Sequence, residues 1–236
     1  MRKFLQSMSA GLILGLAVSS QSLAQDASRM FSAESGALAI AAKADQGANA
    51  HKDAIKKLKK ALKLKSLKPY EVSAMEQMLA ISYYKTGKEE KAIESYEDAI
   101  AAGGLRADEV QNIQIAMAQL HITAKNYDVA AQQLENFFAQ GGAQNSKNLK
   151  LVLLAYMRDK NYDGAAPWAE KMLDRGFVTT RPEYNNFLFL FNSPEKRAVQ
   201  IRTADRMLQL WPNDAALRTK IDALKRTAAY EASTAG

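Results

Sequence analysis

Residues 81–100 read ISYYKTGKEEKAIESYEDAI. Two helical patterns flank a polar turn, and Gly87 sits at the break between them. After the turn, Ala92, Tyr96 and Ala99 recur at the spacing of one helix face, while Glu89, Glu90, Glu94 and Asp98 fall on the outer face. Before it, Leu79-Ala80-x-x-Tyr83 offers a matching apolar face. A small residue lets two helix backbones approach closely, and large residues one turn away fill the space beside it. The stretch therefore predicts two helices packed as a pair.

The arrangement returns in NYDVAAQQLENFFAQGG (126–142) and NYDGAAPWAEKMLDRG (161–176). Ala54, Ala92 and Ala130 lie 38 residues apart, Ala165 follows 35 later, and the pairs Gly103-Gly104 and Gly141-Gly142 repeat the 38-residue step. Tyr83, His121 and Tyr156 each stand nine residues before an alanine of this series. Glycine at the end of each second helix suits a helix stop. A period of this size marks a stacked array of two-helix units, none of which can bury its apolar face alone. No stretch reads as a strand, so the fold class is all-α.

These residues resemble the tetratricopeptide repeat, W-x2-L-G-x2-Y…A-x3-F…P, with ISYYKTGKEEKAIESYEDAI the best single match. The resemblance covers roughly residues 35–214 and implies a right-handed α-solenoid of about four to five helix pairs. The expected units are 35–72, 73–110, 111–145, 146–180 and 181–214. Residues 215–232 then read as a capping helix over the last apolar face. This sequence departs from the family pattern in having no first Trp in any unit. Gln200 also stands where the last unit should carry Ala.

The amino-terminal region reads differently. Arg2 and Lys3, the apolar run AGLILGLAV (10–18) and the small residues of Ser22-Leu23-Ala24 predict a cleavable export signal over 1–24. The run is too short to span a bilayer. The chain has no cysteine, which excludes disulfides, thiolate chemistry and a lipidated amino-terminal cysteine. A periplasmic protein that is not a lipoprotein is the expectation. Residues 25–34 are expected to be a flexible lead-in.

Candidates for chemistry are few. The two histidines are 70 residues apart; His121 falls on the packed slot of Tyr83 and Tyr156, and His51 reads as a solvated residue at a helix start. No nucleophile elbow, zinc-protease pair or phosphate-binding loop is present. The expectation is a protein that is not an enzyme and uses no cofactor or metal. The aromatics follow the repeat spacing of a core, so no nucleic-acid partner is expected.

Arrays of this kind bind proteins. In the tetratricopeptide family the first helices line a groove for peptides or partner helices. Transferring that geometry places Gln77, Ile81, Tyr84, Lys85, Ile115, Gln119, Ile122, Lys147, Lys150, Leu154, Met157, Arg158, Asn185 and Phe189 in or near the groove. Gln77 and Ile81 stand where chaperone-binding members show Lys and Asn, which excludes that partner class. Lys147, Lys150 and Arg158 form a cationic row suited to an acidic or carboxy-terminal peptide. The join GGL-x-x-x-E (103–109), followed by AQL-x-x-x-x-K-x-Y (118–127), is similar to a group of exported bacterial tetratricopeptide proteins linked to the TonB–ExbB–ExbD system. That resemblance implies support of TonB-dependent uptake; an adaptor for outer-membrane or cell-wall assembly is the second reading.

Residues 51–68, HKDAIKKLKKALKLKSLK, hold eight lysines against Asp53. The rest of the chain beyond the export signal is slightly acidic, so the positive charge is local. Ala54, Leu58 and Ala61 match Ala92, Tyr96 and Ala99, making this the second helix of the first unit. Lys56, Lys57, Lys59, Lys60 and Lys63 are expected on its solvent side, as a basic patch able to touch an anionic membrane surface peripherally.

Overall fold

The computed structural model of the chain describes residues 29–234. The expected export signal and residues 25–28 lie outside the described residues. All regular structure among the described residues is helical. In chain order the helices are α1 (Ala33–Gly47), α2 (His51–Ala61), α3 (Pro69–Lys85), α4 (Glu89–Ala101), α5 (Ala107–Thr123), α6 (Tyr127–Ala139), α7 (Ser146–Asp159), α8 (Tyr162–Asp174), α9 (Arg181–Leu190), α10 (Arg197–Leu210) and α11 (Ala215–Thr234). A short 3-10 turn, Pro194–Lys196, precedes α10. Odd and even helices pack in order as pairs, from α1 with α2 to α9 with α10. The chain divides into two compact parts at Ala143 and Gln144, the first with three pairs and the second with two pairs and α11.

The first four pairs are built on the repeated alanine. Ala54, Ala92, Ala130 and Ala165 are all 0% exposed, and Leu58, Tyr96, Leu134 and Ala169 are buried one turn further on. The turn inside a pair also repeats. Gly87 (φ 70°), Lys125 (φ 67°) and Lys160 (φ 62°) adopt the same left-handed backbone. For a side chain bearing a Cβ this conformation costs roughly 1–2 kcal/mol. Lys125→Gly should therefore stabilise the protein by about 0.5–1 kcal/mol, once the larger unfolded-state entropy of glycine is subtracted. A rise in the urea midpoint checks it; no change would mean that the lysine side chain makes compensating contacts.

From residue 29 onward the lead-in packs against the helices that follow it. Arg29 is only 9% exposed. Its guanidinium lies 4.2 Å from the centre of the Tyr70 ring. The same group donates to the Gly104 carbonyl at 3.3 Å and to the Glu109 carboxylate at 2.6 Å. Phe31 meets the Tyr70 ring edge-on at 5.9 Å. The Ser32 N–H donates to Glu71 at 2.7 Å, and the Ser32 side chain caps α1. The segment is poor in large apolar groups, so mobility is the natural expectation. It docks because the starts of α3 and α5 present it with carboxylates and an aromatic face.

The last unit replaces alanine with a buried amide. Gln200 donates to the Leu188 carbonyl at 2.8 Å and to Asn192 at 3.3 Å, and accepts from Arg197. Arg197 in turn holds Glu231 of α11 through two donors, at 2.8 and 2.7 Å. α11 also buries Leu217 and Ile221. The expected capping helix is thus present, fixed by both apolar burial and ion pairing.

Candidate partner-binding surface

Three first helices start with the same device. Glu71, Glu109 and Glu183 occupy the third position of α3, α5 and α9, and each carboxylate accepts from the backbone N–H preceding its helix. This fixes where each helix begins, and hence which side chains face outward along it. In α7 the Asn145 side chain performs the capping instead, accepting from the Asn148 N–H at 2.9 Å.

In the first compact part, Gln77, Ile81 and Tyr84 of α3 are half-buried and Lys85 is exposed. The Gln77 amide donates back to the Ser73 carbonyl at 3.4 Å. The Lys85 ammonium stands 5.9 Å from the Tyr84 ring centre. On α5, Ile115, Gln119 and Ile122 are half-buried. The surface here is mixed, with apolar and amide groups and one cation.

In the second part, Lys147 and Arg158 of α7 are exposed while Leu154 and Met157 are half-buried. Lys150 is not a free member of the expected cationic row. Its ammonium pairs with Glu183 of α9 at 2.7 Å. Burial alone would raise the Glu183 carboxyl pKa. Lys150 and the N–H and hydroxyl donors of Thr179 and Thr180 outweigh that effect and hold it below the usual range. The row is therefore weakened at its middle by an ion pair that joins α7 to α9. On α9, Asn185 is exposed and Phe189 is 52% exposed. Phe189 meets the Tyr162 ring edge-on at 5.8 Å. Sequence spacing turns Phe189 away from the core positions Phe187 and Phe191, but contains no signal for Tyr162 as its neighbour.

The histidines also resolve. His121 is half-buried, and burial lowers its pKa despite the nearby Glu97 and Asp128. Its Nδ1 is buried without a hydrogen-bond partner, as is Nδ1 of His51, which is half-buried rather than solvated. A neutral, packed His121 fits the slot of Tyr83 and Tyr156. Among the described residues no cluster of three or more His, Asp or Glu could hold a metal ion, and no helix is long and apolar enough to cross a membrane.

The basic segment forms α2 and the turn after it. Lys56, Lys59, Lys60 and Lys63 are exposed as expected, and so is Lys52. Lys57 leaves the patch: it leans towards α1 and pairs with Asp45 at 2.5 Å. Position 57 borders the buried face of Ala54, Leu58 and Ala61, which brings its long side chain within reach of α1.

No protein-family model and no curated protein matches the chain. Among solved structures it is similar to a tetratricopeptide repeat protein from Parabacteroides merdae, with 17% identity over 85% of this chain and 75% of that one and a TM-score of 0.56. It is also similar to MamA from Desulfovibrio magneticus RS-1, with 14% identity over 84% of this chain and 98% of that one and a TM-score of 0.50. The helix-pair array is the tetratricopeptide-repeat fold.

Proposed function

We propose that the protein is an exported, periplasmic tetratricopeptide scaffold that recruits a protein partner on the outward face of its first helices and performs no chemistry itself. The observation that carries this reading is Phe189, a large aromatic left half in solvent and steadied by Tyr162. A rigid, partly exposed aromatic beside polar groups is the type of anchor on which protein interfaces concentrate their binding energy. The GGL-x-x-x-E join (103–109) supports the narrower reading, in which the partner belongs to TonB-dependent uptake. In the structure its glutamate, Glu109, serves the fold as the α5 cap and the Arg29 anchor, so the join supports kinship rather than marking a contact.

The test is affinity capture from an envelope extract with the full chain. A TonB, ExbB, ExbD or TonB-dependent receptor component should co-purify, and Phe189→Ala should reduce its recovery by about tenfold or more. Recovery of none of these components would sink the uptake reading. Recovery unaffected by Phe189→Ala would move the binding face elsewhere.

A further inference from the structure

The outer faces of the second helices are not equivalent. A shift of 38 residues carries Lys52, Lys56, Lys59 and Lys60 of α2 onto Glu90, Glu94, Glu97 and Asp98 of α4. All eight side chains are exposed. At the same slots α6 carries Asp128, Gln132, Glu135 and Asn136. The fold therefore accepts acid, base or neutral groups there, and the packing of α2 does not call for lysine. The sign reversal of α2 is a separate property of the molecule.

Helix physics runs against that choice. Lys52, Lys56 and Lys60 follow one another at four-residue steps along α2, so they form a single ridge. Like charges at those spacings repel and oppose the helix. The single acid of the segment, Asp53, pairs with Lys56 at 3.0 Å on the exposed surface and relieves little of this. Features that oppose local stability without helping the fold mark functional surfaces.

We propose that the α2 ridge is a peripheral docking surface for an anionic lipid bilayer, met through Lys52, Lys56 and Lys60. The chemistry of the ridge favours a smeared array of lipid phosphates over one specific acidic group. It consists of lysines without arginine, and lysine is a compact, hydrated point charge with no bidentate fork. It lacks the exposed apolar or aromatic anchor of a protein interface, because Ala54, Leu58 and Ala61 are buried in the core. With that stripe engaged, α2 cannot insert, so attachment is electrostatic only. The acidic ridge on α4 limits the contact to one edge. Across an open crevice of about 420 Å³, Lys59 and Lys63 face Glu94 and Asp98, whereas Lys52, Lys56 and Lys60 lie outside its lining.

Vesicle sedimentation with the full chain tests the proposal independently of the partner face. Binding should appear on phosphatidylcholine vesicles doped with phosphatidylglycerol, be absent on pure phosphatidylcholine, and fall steeply as salt rises. K52Q/K56Q/K60Q should lower the partition coefficient by about a hundredfold, given roughly fivefold per lysine near an anionic surface. E90Q/E94Q/D98Q should leave it unchanged or raise it. Circular dichroism on both variants controls for folding. No binding to doped vesicles at low salt would overturn the proposal, as would full binding by the lysine variant or equal loss in the acidic-ridge variant. Binding to duplex DNA without binding to doped vesicles would also overturn it, by assigning the ridge to another polyanion.

Discussion

Gly104→Ala should unfold the first compact part well before the native protein, at a cost of at least about 3 kcal/mol, whereas Gly103→Ala should cost only about 1 kcal/mol. The contrast comes from two neighbouring glycines with different duties. Gly103 has φ 73°, and a Cβ there would meet nothing within 4 Å, so an alanine suffers backbone strain alone. At Gly104 a Cβ would lie 2.3 Å from the Tyr70 nitrogen and 2.4 Å from the Pro69 carbonyl carbon and Tyr70 Cα. Those are backbone atoms in the first turn of α3 and cannot swing aside. The Gly104 N–H also donates to the Ser73 hydroxyl at 3.2 Å, and its carbonyl receives Arg29. Moving α3 away would break these bonds together with the strap that begins at Arg29. Urea denaturation of both variants separates the two costs; equal midpoints would show that α3 can shift freely.

Glu71→Gln should cost about 2–3 kcal/mol at neutral pH, and the gap to the native protein should close in acid. Glu71 is 1% exposed. It accepts from the Ser35 hydroxyl, and from the N–H groups of Ser32 and Lys68, each at 2.7 Å. Burial alone would push the carboxyl up, but these donors outweigh it and hold it at about 2, against an ordinary value of 4.5. A folded-state value below the unfolded one stabilises the protein fully above about 4.5. That contribution drains away as pH falls towards about 2. Glutamine keeps one acceptor oxygen but turns an NH₂ group towards a donor, so it lacks both the interaction and its acid limb. Melting temperatures of the two proteins should therefore converge between pH 4.5 and 2. A constant difference across that window would mean that Glu71 does not titrate as the geometry requires.

The helix pairs were legible because a 3.6-residue periodicity and a 38-residue period both fall on the same alanines. The outward side of each helix follows from the same arithmetic. Periodicity does not say which neighbour a side chain reaches. Lys57 and Lys60 both look solvent-facing in α2, yet Lys57 bridges back to Asp45. Lys150 belongs to a row of cations until Glu183, 33 residues further along, neutralises it. Arg29 finds its partners 75 and 80 residues away. No local pattern encodes contacts of that range. The double glycines both resemble helix stops, but the second of each pair is a close approach: Gly104 against α3, and Gly142 against Phe137.

The buried amide of Gln200 bears on how the array finds its order. Units built on interchangeable alanine crossings can pair out of register or swap between neighbouring chains while folding. Gln200 is satisfied only where Leu188, Asn192 and Arg197 converge. At any crossing built for alanine its amide would be stranded without partners, at a cost of a few kcal/mol. Arg197 extends the same requirement to Glu231. The odd residue at the end of the repeat thus works as an address, admitting α10 and α11 to one position and penalising every other.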